Sequence, residues 1–343
     1  MTDVAALAGV SVSTVSLAYS GAGPLTEATR EKVMTAAAEL GYAGPSPEAR
    51  ALRSGRTGIV GVVVHERLVR SFRDPLQLRI LDAITEDLGA MGMGVLLVPS
   101  PATADDRPLL AGAAMDAAIV LRVRDHDEPA LEILRRRGIP MVAMEAPEGA
   151  VGAHVTIDDA TATLALVRRL VDLGHERIAT VTVPMTDRAQ TRLVSPEDLP
   201  DPMWTPARHR LDAFAAAGIA PCAIVEAEAS MVEAGIQAGR LLLAHPSRPT
   251  AVACQSDLLA GGVIVAAREA GLEVPRDLSV TGFDGLDLPW LAPLTLTTQA
   301  QDGAVKGHAI AGAVRNLLAG EEPGEIRVAL ELREGTTVAA PRD

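Results

Sequence analysis

Along the first 42 residues, apolar positions recur at helical spacing in three short runs. "DVAALA" ends at Gly9, "VSTVSLAYS" at Gly21 and "EATREKVMTAAAEL" at Gly41, with Thr2, Ser11 and Thr26 placed to cap the three N-termini. Val4, Leu7, Ala8, Val10, Val15, Val33, Ala37 and Leu40 supply the apolar faces. Only Gly9 and Val10 part the first run from the cap of the second, a turn short enough to force a sharp angle. The pattern predicts a helix-turn-helix followed by a third helix.

The next stretch, "AGPSPEARALRSGRTG" at 43–58, breaks that rhythm. Gly44-Pro45 ends the third helix. Ser46 suits an N-cap, Pro47 the first helical position and Glu48 the first turn, and Gly55 stops the segment after Leu52 and Arg53. At about two turns such a helix is unstable alone in water, so it is expected to be helical only when held.

From Ile59 onward strand and helix patterns alternate. "IVGVVV" is a continuous apolar run of the kind buried on both faces. The helix "DPLQLRILDAITEDLGAM", strand "GVLLVP", a helix near 103–113, strand "AAIVL", helix "EPALEILRRRG", strands "PMVAME" and "HVTID" and helix "ATATLALVRRLVDLG" follow. A second series runs from "RIATVTV" through a helix near 206–217, "AIVEAE", a helix near 231–244, "AVACQS" and "LLAGGVIVAAREAG" to "LSVTGFD". This is a doubly wound α/β pattern run twice, with parallel sheets in two lobes. Ligands of such sheets bind at the carboxyl ends of the strands, here in a cleft between lobes. Residues 185–205, rich in Pro and Asp, read as a long loop near it.

Composition narrows the classes. The 343 residues suit two or three domains, and with 48% hydrophobic but only 2% aromatic residues the core must be Ala, Val, Leu and Ile. Two cysteines, Cys222 and Cys254, are too few for a disulfide framework or a Cys-type metal site. No apolar run approaches the roughly 20 residues of a membrane helix, and the N-terminus lacks signal-peptide character. A cytoplasmic protein without membrane contact is expected.

The net charge of −13 is uneven. In residues 1–58, Arg30, Lys32, Arg50, Arg53 and Arg56 balance Asp3, Glu27, Glu31, Glu39 and Glu48, so the acidity belongs to 59–343. An acidic body with a locally basic Arg50, Arg53, Arg56 patch suits a chain that touches phosphate at one end.

Three stretches now carry a resemblance: "DVAALAGVSVSTVS" with "TREKVMTAAAELGY"; "ARALRSGRTGIVGVVV"; and "SDLLAGGVIVAAREAGLEVPRDLSVTGFDG" with "LAPLTLTTQAQ". In this order they resemble the LacI/GalR (lac repressor/galactose repressor) family of bacterial transcription regulators over nearly the whole chain. The resemblance implies an N-terminal all-α helix-turn-helix domain at 1–45, a hinge helix or linker at 46–58 and a periplasmic-binding-protein-like, type I effector domain at 59–343. Its lobes are expected at about 59–158 with 290–320, and about 159–288 with 321–343. It implies operator DNA and a small-molecule effector, a sugar or related metabolite, as partners. A homodimer is expected, because no heptad tail follows "GTTVAAP".

Residue by residue, the resemblance assigns DNA contact to Thr2, Ser11, Val12, Ser13, Thr14, Ser16 and Leu17 in the first domain and to Arg50, Leu52 and Arg53 in the hinge. Short hydroxyl side chains allow close backbone approach and can bond phosphate or base edges. Leu17 stands where many relatives carry an arginine for guanine, so it predicts a different half-site, read by apolar contact such as a thymine methyl; the alternative is inward packing. Leu52 matches the leucine that wedges into the minor groove, although the Tyr42–Leu52 spacing is one residue longer than usual.

For the effector the matched positions are Glu145, Arg210, Ser256 and Asp284, with Phe72, Asp158 and Asp159 as weaker candidates and Asp257 expected to cap its helix. Carboxylates and one arginine at strand ends make a polyol clamp. "HERLVRSFRDPLQL" departs from the family's aromatic pattern, leaving Phe72 there, while Trp204 and Trp290 could stack instead. An enzyme is opposed by the lack of a glycine-rich phosphate fingerprint, a Ser-His-Asp signature or metal-ligand spacing. Catalytic residues, cofactor and metal are therefore not expected. A solute-binding protein of the periplasmic type would explain the lobes but not the helix-turn-helix.

Overall fold

The computed structural model describes residues 1–20, 23–44, 55–64, 68–100, 109–124, 128–188 and 190–342. The chain forms two compact units, Met1–Gly58 with Ala114–Asp116, and Ile59–Ala113 with Ala117–Asp343.

In the first unit, helices α1 (Thr2–Ala8), α2 (Val12–Ser20) and α3 (Glu27–Glu39) enclose Val4, Ala5, Ala8, Val15, Ala18, Val33, Ala36 and Ala37. The small side chains let three short helices close on one core, which offsets their individual instability. Gly9, at φ 61°, ends α1 in the left-handed conformation, and α1 and α2 then meet at a 98° bend. The Thr14 amide donates to Ser11 Oγ at 3.1 Å, and the Thr29 amide to Thr26 Oγ1 at 3.3 Å, so both expected caps form. Thr2 does not cap: it is the first helical residue of α1, and Met1 stands at the cap without a side-chain bond. Tyr19 meets Tyr42 edge-on at 5.8 Å and donates to its carbonyl at 3.0 Å, fastening the end of α2 to the residues after α3.

The second unit contains two sheets. Its strands are β1 (Ile59–Val64), β2 (Gly94–Pro99), β3 (Ala117–Val120), β4 (Met141–Met144), β5 (Ala153–Thr156), β6 (Ile178–Thr182), β7 (Arg192–Val194), β8 (Ile224–Glu226), β9 (Ala251–Cys254), β10 (Ser279–Asp284), β11 (Thr297–Gln301), β12 (Glu325–Arg327) and β13 (Leu330–Arg333). Its helices are α4 (Leu68–Ser71), α5 (Pro75–Ala90), α6 (Leu109–Gly112), α7 (Pro129–Arg136), α8 (Asp159–Asp172), α9 (Thr205–Ala216), α10 (Val232–Leu243), α11 (Asp257–Glu269) and α12 (Gly303–Leu318).

The first sheet, ordered β12-β5-β4-β3-β1-β2, is parallel throughout. The second, β13-β11-β10-β9-β6-β8-β7, is parallel except for its edge strands β13 and β7. Each sheet defines a lobe, and the continuous apolar run of β1 is buried as expected.

The lobe boundaries differ from the sequence expectation at two strands. β11 lies within 290–320 but pairs with β10, so it belongs to the second lobe, whereas α12 in the same stretch packs on α5 and β3–β5 of the first. β12 lies within 321–343 but pairs with β5 of the first lobe. β7 orders part of the 185–205 stretch as an edge strand. The chain therefore crosses between lobes three times, after β5, after β11 and between β12 and β13.

In the second lobe α10 and α11 touch backbone to backbone. A Cβ on Gly262 would stand 2.3 Å from the Val232 carbonyl oxygen and 2.6 Å from Gly235 Cα. Among the described residues, no single helix is long and apolar enough to cross a membrane.

Candidate functional site

On the first unit, α2 divides its faces cleanly. Val15 and Ala18 point into the core, while Ser11, Val12 and Ser13 are exposed and Thr14, Ser16 and Leu17 half-buried. Ser11 Oγ also shares hydrogen bonds with Ser13 Oγ at 2.6 Å and Thr14 Oγ1 at 2.8 Å, so the cap pre-orders the hydroxyl cluster. Leu17 leans on the following turn, where a Cβ on Gly23 would lie 3.3 Å from its Cδ2, yet it keeps part of its side chain in solvent. Thr2 is exposed at the start of α1. Arg50, Leu52 and Arg53 lie outside the described residues.

In the second unit a cavity of about 100 Å³ opens where the strands of both sheets end. The first lobe contributes Leu121, Arg122 and Val123 beyond β3, Met144 and Glu145 at the end of β4, the start of α5, and Lys306 from α12. The second lobe contributes Trp204 and Arg210 around α9, Ser230, Gln255 and Ser256 beyond β9, Asp284 ending β10 and Gln301 ending β11.

A polar network fixes these groups. Lys306 Nζ donates to Glu145, and to Gln301 Oε1 at 2.7 Å. Gln301 Nε2 donates to Asp284 Oδ1 at 2.7 Å. Arg210 Nε donates to Asp159 Oδ1 at 2.7 Å, its Nη1 donates to the Gln255 carbonyl, and its guanidinium lies 3.7 Å from the Phe283 ring centroid. Burial opposes ionisation of Glu145, but Lys306 and Arg210 overcome it and hold the carboxyl below its ordinary range. Burial raises Asp284 well above the usual carboxylate range, even against the attraction of Arg210.

Backbone strain marks the same two carboxylates. Glu145 at φ 52° and Asp284 at φ 122° are two of the three non-glycine residues with positive φ among those described. Each is turned out of its strand end into the cavity wall. The 185–205 stretch that carries Trp204 is anchored by fully buried Glu226, which accepts from the Met185 and Thr186 amides at 3.0 and 2.8 Å and pairs with Arg192 at 2.8 Å.

The sequence expectation meets this geometry unevenly. Glu145, Arg210, Ser256 and Asp284 line the cavity together, as does Trp204, with the Arg122 guanidinium 5.1 Å from its ring centroid. Ser256 also caps α11, accepting from the Leu259 amide at 3.2 Å and from Ser230 Oγ at 2.8 Å.

Asp257, expected as that cap, is instead buried in the first turn, where it accepts from Thr298 Oγ1 and the Leu286 amide, each at 2.6 Å. Phe72 does not reach the cavity. It is 49% exposed after α4, because that helical turn buries Ser71 and directs Phe72 outward. Asp158 caps α8, accepting from the Thr161 amide at 3.0 Å, and faces a separate depression beside His209 and Arg327. Trp290 lies over Gly261, outside the cavity lining.

Lys306, Gln301, Arg122 and Gln255 were missed. Only Lys306 left a signal, as a charge on the apolar stripe of an otherwise small-residue helix.

Comparison with known proteins gives concordant matches. Residues 1–44 match the family described as bacterial regulatory proteins, lacI family, and residues 167–338 match the periplasmic binding protein-like domain. The chain is 34% identical over 318 residues to the HTH-type transcriptional regulator Rv3575c of Mycobacterium tuberculosis, covering 90% of this chain and 88% of the relative. It is 30% identical over 353 residues to the HTH-type transcriptional regulator IpsA of Corynebacterium glutamicum, covering 99% and 97%. Among solved structures, a lac repressor dimer bound to operator and the anti-inducer ONPF superposes with a TM-score of 0.81 at 25% identity, covering 98% of each chain. A CelR–cellobiose complex superposes at 0.69 with 26% identity and the same coverage.

Proposed function

The chain belongs to the LacI family of bacterial transcription regulators, and on that footing we propose that it is a cytoplasmic, homodimeric repressor whose operator affinity is set by a sugar-like effector in the interlobe cavity. The observation that carries this is the pairing, in one chain, of a capped, hydroxyl-bearing α2 with a charged cavity at the strand ends of two lobes.

In this reading α2 enters the major groove with its N-terminal part towards the base edges. Val12, Ser13, Thr14, Ser16 and Leu17 read bases, Thr2 and Ser11 contact the backbone, and Arg50 and Arg53 neutralise phosphates beside a minor-groove wedge at Leu52. Leu17 replaces bidentate guanine recognition with apolar contact, which changes the preferred half-site. The relatives crystallised with operator and with cellobiose support both halves of the assignment.

Glu145 and Arg210 bind effector hydroxyls through charge-assisted hydrogen bonds, and the Ser256 hydroxyl and Asp284 carboxyl add further partners. A ligand that prefers one arrangement of the lobes shifts the population, and that shift is the signal to DNA. The lobes are already bridged at the mouth of the cleft. Arg73 pairs with Glu233, Arg70 Nη1 reaches the Glu228 carbonyl at 3.4 Å, and Arg124 meets Asp187 at 3.3 Å.

A gel shift with DNA from upstream of the neighbouring genes, with and without candidate sugars, tests the proposal. Specific retention that a sugar alters supports it. Ligand binding without any DNA retention would favour a solute-binding protein instead.

A further inference from the structure

The cavity contains an ion pair where the helix pattern alone calls for a core residue. Lys306 lies on α12 in the buried stripe of Gly303, Gly307, Ile310 and Val314, and is itself only 1% exposed. A methionine or leucine would fill that stripe without desolvating an ammonium. Burying an ion pair adds little stability over apolar packing of the same volume. Packing therefore does not account for the lysine, and its position on the cavity wall offers a use.

The chemistry of the pair is complementary to a hydroxyl. The ammonium only donates and the Glu145 carboxylate only accepts. Set side by side, they match a hydroxyl that accepts from Lys306 and donates to Glu145, or the two hydroxyls of a vicinal diol. Arg210 and Asp284 repeat the donor–acceptor combination on the second lobe, and Gln301 joins the two pairs by hydrogen bonds of 2.7 Å on each side. On the lining Lys306 is paired with Glu145, and Arg210 is held by Asp159. An anionic group that approached Lys306 would meet the Glu145 carboxylate bonded to it, whereas a neutral polyhydroxy molecule uses both.

We infer that Lys306, acting with Glu145, is a specificity-determining residue that reads adjacent hydroxyls on an uncharged effector and selects against phosphorylated or carboxylated forms of it. This rests on the reading of the cavity as the effector site.

The test uses the full chain. Melting temperatures are measured with D-glucose, D-galactose, D-mannose and D-ribose, and with glucose 6-phosphate, ribose 5-phosphate and glucuronate. At least one neutral sugar is expected to raise the melting temperature, and its charged counterparts to leave it unchanged. Stabilisation by charged forms alone, or by no neutral sugar, overturns the inference.

Lys306→Met alone strands a buried carboxylate and can fail to fold, so the deciding variant is Lys306→Met combined with Glu145→Gln, which removes both charges together. It is expected to melt near the parent yet bind the stabilising sugar about 10- to 100-fold more weakly by calorimetry. One monodeoxy analogue of that sugar should bind the parent more weakly but make no difference to the double variant. Parent-like affinity in the double variant would reduce Lys306 to a structural role. The regulator reading fails on a different readout, loss of DNA retention by the ligand-free parent, which none of these melts involves.

Discussion

Arg210 and Asp159 form a buried ion pair, Nε to Oδ1 at 2.7 Å, that locks the guanidinium between α8 and the Phe283 ring and so aims it at the cavity. Removing one partner leaves the other as an unpaired buried charge. Asp159→Asn is therefore expected to destabilise the second unit by about 3–5 kcal/mol, measured by urea unfolding. A cost below about 1 kcal/mol would mean that the pair does not hold Arg210 in place.

The Ser11 cap makes a separable claim about the first unit. Ser11→Ala should lower its stability by about 0.5–2 kcal/mol, and Ser11→Asp, which keeps a capping oxygen, should recover most of that. Leu17→Arg should leave the melting temperature nearly unchanged, because Leu17 is only half-buried, while shifting preference among operator half-sites towards guanine. Unchanged base preference would remove Leu17 from the reading surface.

Asp257 predicts a pH dependence. Burial pushes its carboxyl up to about 6 despite the bonds from Thr298 and Leu286. The folded value thus lies above the unfolded one of about 3.9, so the fold favours the protonated form. The contribution, at most about 3 kcal/mol, is fully present below pH about 4 and lost as pH rises through about 6. Urea unfolding at pH 5 and pH 7.5 should show stability falling with pH in the parent, and a flatter profile in Asp257→Asn.

The Arg73–Glu233 pair bridges the lobes with both side chains more than half exposed. Exposed pairs contribute little and are screened by salt. Arg73→Gln should change effector affinity by no more than about 5-fold, with the difference vanishing at high ionic strength in calorimetric titrations.

Elements with local signals were legible in the chain. Gly9, Ser11 and Thr26 punctuate three helices whose ends the structure reproduces, and the apolar run of β1 marks a central parallel strand. Glu145, Arg210 and Asp284 reached the cavity because strand ends and one helix are the places such lobes expose to ligand. What was not legible depends on distant pairing. β12 is three residues long, and only its ladder with β5 places it in the first lobe. Phe72 turns outward because Ser71 takes the buried position. The cap of α11 is Ser256, one residue before Asp257, since Asp257 is claimed by Thr298, 41 positions along the chain.

The central claim, that a ligand in the interlobe cavity controls DNA affinity, is tested most directly by fluorescence anisotropy of a labelled upstream duplex titrated with the protein, with and without the stabilising sugar. The account predicts specific retention that weakens steeply with salt and an affinity change of about 5- to 150-fold on adding the sugar. It also predicts that, when Lys306→Met and Glu145→Gln are combined, this change needs about 10- to 100-fold more sugar. Specific DNA binding that no cavity ligand alters, or no specific binding at all, would contradict it.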